Sequence, residues 1–226
     1  MAEQLVFALV EEEPPTFANF VAVGNAEAVA ALKRAARAGA GSDAIALWGV
    51  EGGGKSHLLR AFVAEAASAG RSARYLSEPA QQADATDVDC LAIDNIDRAD
   101  VAAQARLFTL FNALRERGGQ WVSASRGPAA QGRLRDDLRT RLGWGLTFEV
   151  RALDDAAKPA ALAAHARQRG LVLGDDVIAY MLAHGRRDMR SLMAALVAVD
   201  RHSLSTRRPV SVVLVREWMA RETPTR

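Results

Sequence analysis

Eight consecutive residues, Gly49-Val50-Glu51-Gly52-Gly53-Gly54-Lys55-Ser56, have the types and spacing of a phosphate cradle. They satisfy G-x-x-x-x-G-K-[ST] at every fixed position. Gly49, Gly52, Gly53 and Gly54 let the main chain approach an anion with no Cβ in the way, and successive N–H groups can turn toward its oxygens. Lys55 is placed to bridge the β- and γ-phosphates of a nucleoside triphosphate, and the Ser56 hydroxyl to ligate Mg²⁺. The flanks fit as well. The apolar run Ala44–Trp48 reads as a buried strand, and His57–Val63 as a helix with apolar residues at helical spacing. The loop therefore opens a helix, whose N-terminal dipole favours an anion. His57, next in line, completes the candidate contacts around the loop. A glycine-rich turn without a ligand is the alternative, and it leaves the coincidence of strand, spacing and helix unexplained. The motif predicts a bound nucleotide, ADP or ATP.

A second element is needed before phosphate chemistry becomes possible. Cys90-Leu91-Ala92-Ile93 is a fully apolar strand ending in Asp94, a carboxylate at a strand tip suited to holding Mg²⁺ through water. A solvated turn aspartate is the plain alternative. Asn95 follows, and an amide cannot accept the proton of an attacking water, so hydrolysis by this chain alone should be weak. Asp97 could substitute only through an unusual turn.

These residues must be positioned by alternating elements. Residues 1–13 read as a loose tail, Phe17–Phe20 as a short loop anchored by apolar side chains, and Glu27–Arg37 as an amphipathic helix. Strands are expected at 44–48, 74–76, 90–93, 121–124 and 146–150. Helices are expected from the phosphate loop to about Ala69, closed by Gly70, and over Val101–Arg117, closed by Gly118-Gly119. Residues 78–87 carry no clear pattern. Apolar strands alternating with helices call for a parallel sheet covered on both faces. From Asp154 the pattern turns to helices alone, over 158–169, 175–184, 188–203 and 212–220. Three parts are expected: a tail over 1–13, an α/β nucleotide-binding domain over 14–152 and a small all-α domain over 153–226.

Composition narrows the class. The chain has 226 residues, 50% of them apolar, and a net charge of +2, so no global basic field announces nucleic acid. Arginines crowd the second half at 133, 135, 139, 141, 186, 187, 190, 207 and 208. They could form a DNA-binding patch or serve a nucleotide site with the remainder solvated; interleaved acidic residues favour the second. The single cysteine, Cys90, excludes a disulfide framework and suits a reducing compartment. No apolar run reaches the length of a membrane span, and no secretory signal opens the chain. A cytoplasmic protein without membrane partners is expected.

Three motifs carry a resemblance. The phosphate loop, the Asp94-Asn95 strand tip and Arg139-Thr140-Arg141-Leu142-Gly143-Trp144-Gly145 together resemble the AAA+ ATPases of the DnaA branch. Thr16-Phe17-Ala18-Asn19-Phe20 resembles that branch's adenine-side opening, and Arg187–Leu192 the start of its sensor-2 helix. The resemblance covers about Gln4 to Met219. It implies a AAA+ P-loop domain followed by a helical lid, with Arg141 as an arginine finger acting in trans, Ser125 at the sensor-1 position and Arg190 as sensor 2 on the chain's own phosphates. On residues alone, Arg190 could equally be a surface residue of a capped helix.

No domain like the initiator's helix-turn-helix is expected, and in that respect the chain resembles the regulatory homologues that switch DnaA off. Gln4-Leu5-Val6-Phe7-Ala8-Leu9 supports the same placement. A glutamine followed by spaced Leu5, Phe7 and Leu9 suits an extended peptide whose amide hydrogen-bonds while apolar anchors fill a groove. A disordered tail or an edge strand is the alternative on residues alone. The resemblance implies the peptide for the sliding clamp, the β subunit of DNA polymerase III, with Phe7 where leucine is usual. It further implies DnaA as partner, self-association, attachment to the nucleoid through the clamp and no strong direct DNA binding. The rival expectations are a self-contained DnaA-like or helicase-loader ATPase, and a DNA-binding module.

Overall fold

The computed structural model describes residues 14–38, 44–80, 87–128, 134–185 and 188–222; of Gln168, Arg190 and Glu222 it describes the backbone alone. Residues Pro14–Ala152 form one compact unit, and the described chain from Leu153 forms a second.

In the first unit, α1 (Ala26–Arg37) precedes β1 (Ile45–Trp48), α2 (Lys55–Ser68), β2 (Ala73–Leu76) and β3 (Cys90–Ile93). A 3₁₀ turn over Ile96–Arg98 leads to α3 (Val101–Glu116), β4 (Gln120–Ser125), α4 (Asp136–Gly143) and β5 (Leu146–Glu149). The strands form one five-stranded sheet, ordered β2-β3-β4-β1-β5. Every pairing in it is parallel.

The apolar strands divide their side chains between two cores. On β3, Cys90 and Ala92 face the core built with α1 and α2, while Leu91 and Ile93 face the one built with α3 and α4. On β4, Val122 and Ala124 join the first core and Trp121 the second. This period-2 division is why β3 reads as a continuous apolar run: both of its faces are covered.

Two sequence expectations change in detail. The helix α4 was not expected, because Leu138 and Leu142 are its buried apolar residues amid charged ones and give little periodicity. β5 pairs with β1 alone and lies at the sheet edge, so its side chains are mostly exposed rather than apolar throughout. The helix α3 starts where Asp100 accepts a hydrogen bond from the Ala103 N–H at 2.7 Å, closing one otherwise unmet donor.

The second unit holds α5 (Lys158–Gln168), α6 (Asp175–His184), α7 (Met189–Thr206) and α8 (Val212–Glu222). Leu162, Met181, Leu196 and Leu214 are fully buried in its own core. Asp188 caps α7 by accepting from the Ser191 N–H at 2.9 Å. No helix among the described residues is long and apolar enough to cross a membrane.

Two outcomes follow. Asp100→Ala should lower the stability of the first unit by about 1 kcal/mol, read from a shift in its urea midpoint. Cys90 is buried, and desolvation pushes its thiol from 9.0 up to about 11. The folded thiol thus keeps its proton through a pH range where the unfolded one loses it, so stability should fall as pH rises from about 9 to 11. At pH 8 a thiol reagent should modify Cys90 only after denaturant is added.

Candidate functional site

Parallel pairing sets the strand ends side by side. Trp48, the last residue of β1, is in register with Ser125, the last residue of β4, and Ile93 of β3 with Ser123. The loop after β1, Asp94 after β3 and Ser125 are therefore gathered at one edge, the carboxyl edge where ligands of open α/β sheets bind.

The loop has the shape of a cradle that side chains would fill. Gly49 has a φ of +152°, and a Cβ there would collide with the Val150 carbonyl. Gly54 sits left-handed at φ +98°, where a Cβ would lie 2.7 Å from Phe20 Cε2. Gly54 also occupies the N-cap of α2, with no side chain capping the helix and no acid in its first turn. The first N–H groups of α2 are thus left for an external anion.

Lys55 Nζ donates to the carbonyls of Gly49 at 2.7 Å and Val50 at 2.8 Å, so the ammonium lies against the loop. Burial lowers its pKa, opposed by the carboxylates of Asp94, Asp97 and Glu51, while Arg126 lowers it further. Ser56 is exposed at the start of the helix. The donor set fits a phosphate chain: Lys55, the open N–H groups and a hydroxyl that could reach a cation. Asp94 is buried at 3% exposure. It accepts from the Tyr75 hydroxyl at 2.9 Å and from the Asn95 N–H at 2.9 Å. The Arg60 guanidinium lies 4.8 Å from the Tyr75 ring centroid. Burial raises the Tyr75 pKa, keeping the hydroxyl a donor.

Asn95 adopts the left-handed conformation, φ +51° and ψ +37°, and its Nδ2 donates to the Ser77 carbonyl at 3.1 Å. The amide is thereby tied to the end of β2. This turn carries the chain into the 3₁₀ segment, where Asp97 faces Arg126, with Oδ2 3.9 Å from Nε. Its Oδ1 is buried and accepts no hydrogen bond among the described residues. Ser125 is 7% exposed, and its Oγ donates to the Gly127 carbonyl at 2.7 Å.

The Thr16–Phe20 segment borders the cradle. Thr16 and Asn19 exchange hydrogen bonds of 2.8 and 3.2 Å, Phe17 is buried, and Phe20 packs 5.4 Å from the His57 ring. His57 Nε2 hydrogen-bonds the Thr16 carbonyl at 2.8 Å, so the ring ties this segment to α2.

Arg141 stands on α4, half-buried, with Cζ 4.0 Å from the Trp144 ring centroid and 5.6 Å from that of Phe108. Its neighbours are neutralised: Arg135 pairs with Asp137 at 2.8 Å and Arg139 with Asp136 at 2.7 Å. No carboxylate pairs with Arg141 among the described residues. Arg190 opens α7, but its side chain is outside the described residues, as are Gln4, Leu5, Phe7 and Leu9. Sequence reasoning did not find Tyr75, whose role depends on the β2–β3 register that sets it opposite Ala92, two residues before Asp94. It noted Asp97 without the left-handed turn that places it.

A strand–cradle–helix unit, an aspartate at the neighbouring strand tip and a following helical unit define a AAA+ P-loop protein. Residues 78–149 match the family model of the bacterial DnaA ATPase domain. Residues 155–219 match the family model of the Hda lid domain, so in these two parts the chain is similar to DnaA and to Hda. Solved structures share the fold. Domain III of DnaA from Thermotoga maritima is 21% identical, with a TM-score of 0.71 over 88% of this chain and 93% of that one. AMPPCP-bound DnaA from Aquifex aeolicus is 23% identical, with a TM-score of 0.71 over 92% and 70%. The RuvB Holliday junction branch migration motor of Thermotoga maritima is more distant, 17% identical with a TM-score of 0.63 over 92% and 72%.

Gly54→Ala tests the cradle. The left-handed backbone and the Phe20 contact should together cost about 1–3 kcal/mol of stability. Gly127→Ala, where a Cβ meets nothing within 4 Å, should change the urea midpoint little.

Proposed function

We propose that this chain is a nucleotide-bound regulator that promotes hydrolysis of ATP held by the DnaA initiator, and so represses re-initiation of replication. The observation that carries the reading is Arg141: two other arginines at α4 are paired with aspartates, while this guanidinium is carried on aromatic rings with no carboxylate beside it among the described residues. A charge left available at a surface suits an anion supplied by another molecule. An arginine given in trans to a γ-phosphate is worth about 10³–10⁵ in rate through neutralising transition-state charge. The Hda-type lid supports the same assignment.

The chain's own loop holds ADP or ATP, as DnaA from Aquifex aeolicus holds AMPPCP. Lys55 and the N–H groups of the loop and of α2 contact the phosphates; Ser56 and, through water, Asp94 serve Mg²⁺. Ser125 and Arg190 take the sensor positions. The amide at 95, engaged with Ser77, supplies no base, which fits a regulator better than a motor. Residues 4–9 dock on the DNA-loaded clamp, raising the local concentration of a weak contact with the initiator. On this reading the boundary of the lid falls near residue 153, the protein self-associates, it has little DNA affinity of its own and it acts in the cytoplasm at the nucleoid.

Hydrolysis of initiator-bound ATP, measured with each component omitted in turn, tests the proposal. Stimulation should require this chain, ADP and loaded clamp, and should be lost with Gln4→Ala or Arg141→Ala while nucleotide affinity stays unchanged. Undiminished stimulation by Arg141→Ala would overturn it.

One observation favours a second reading, a self-contained ATPase. Asp97, whose buried Oδ1 has no partner among the described residues, acts electrostatically on Lys55 and could orient a water in place of Asn95. That reading predicts phosphate release by the isolated protein, falling about 10²-fold or more in Asp97→Asn. The regulator reading predicts negligible release from both.

A further inference from the structure

Trp144 is half exposed, at 50%, and is not part of either core cluster of its unit. Its position is nonetheless firmly set. Its N–H donates to the Arg141 carbonyl at 3.3 Å, ending α4, and the next residue, Gly145, presses so closely on β1 that a Cβ would collide with the Ala44 carbonyl. One residue on, the Leu146 N–H donates to the same Ala44 carbonyl at 2.8 Å. The indole is thus mounted between a helix end and the first rung of the β1–β5 pairing.

Two guanidiniums lie on this ring. Arg141 Cζ is 4.0 Å from its centroid, and Arg115 Cζ, from the last turn of α3, is 5.0 Å from it. Phe108, also on α3, lies 5.6 Å from Arg141. Among the described residues, neither arginine is paired with a carboxylate. A planar guanidinium stacks on an indole face and keeps its N–H edges free, whereas a carboxylate partner would consume them. The patch therefore restrains a flexible side chain without neutralising it, and a second cation keeps the patch selective for an anion.

We propose that Trp144 is a positioning residue for Arg141, holding its guanidinium in the orientation in which it meets a phosphate on a partner. This rests on the trans-acting reading of Arg141. The ordering is done before the partner arrives, so the entropy of fixing the side chain is not lost at the encounter.

The test has one arm without a partner and one with it. Tryptophan emission should differ between the wild type and Arg141→Ala, and the difference should vanish when Trp144→Phe is the common background. No difference in the first pair, or one that persists in the second, would overturn the platform. In the hydrolysis assay, Trp144→Ala should lower the maximal stimulated rate about 10–100-fold, in line with small misplacements of catalytic groups. It should leave the half-saturating concentration and the thermal midpoint near those of the wild type. Trp144→Phe, which keeps an aromatic face, should recover most of the rate. A maximal rate unchanged in Trp144→Ala while Arg141→Ala is inactive would overturn the platform alone. Full activity of Arg141→Ala would instead overturn the reading on which it rests.

Discussion

Parallel pairing of five strands is the constraint from which the site is built. Because β3, β4 and β1 run the same way and Trp48 is level with Ser125, their carboxyl ends open on one edge. The phosphate loop, Asp94 and Ser125 come from segments far apart in sequence and meet there without a dedicated scaffold. A parallel sheet also demands helices on both faces, and α1 with α2 on one side and α3 with α4 on the other satisfy it. Two of those helices hold the residues on which the proposed function rests: α2 begins at the cradle and α4 carries Arg141.

Electrostatically the two locations are arranged differently. At the cradle, charge is held close and partly compensated: Lys55 lies against its own loop carbonyls within the field of Asp94, Asp97 and Glu51. An arriving phosphate chain would take over the ammonium and the uncapped N–H groups of α2. At Arg141 on α4 no described carboxylate pairs with the charge, which is held by aromatic surface instead. The first arrangement suits a resident ligand and the second a transient one, which is the division of labour that the proposed function requires.

The alternating elements were legible because burial on both sheet faces forces continuous apolar strands, as in Cys90–Ile93, and because the second unit is helical throughout. The shape of the cradle was legible at Gly49 and Gly54, where close approach of Val150 and Phe20 leaves no room for a Cβ. What escaped depends on geometry without a local signature. The helix α4 has too few apolar residues to show a period. Tyr75 reaches Asp94 only through the β2–β3 register. The placement of Asp97 follows from a left-handed Asn95, a conformation that asparagine tolerates but does not announce. Trp144 was visible as part of a motif, but its stacking with two arginines needs α3 and α4 side by side.

The most direct measurement is a structure of this protein with the initiator bound to a non-hydrolysable ATP analogue on a DNA-loaded clamp. The account predicts the Arg141 guanidinium within hydrogen-bond reach, about 3 Å, of the initiator's γ-phosphate, with the Trp144 indole still beneath it. An interface that leaves Arg141 facing solvent, or brings a different residue of this chain to that phosphate, would contradict it.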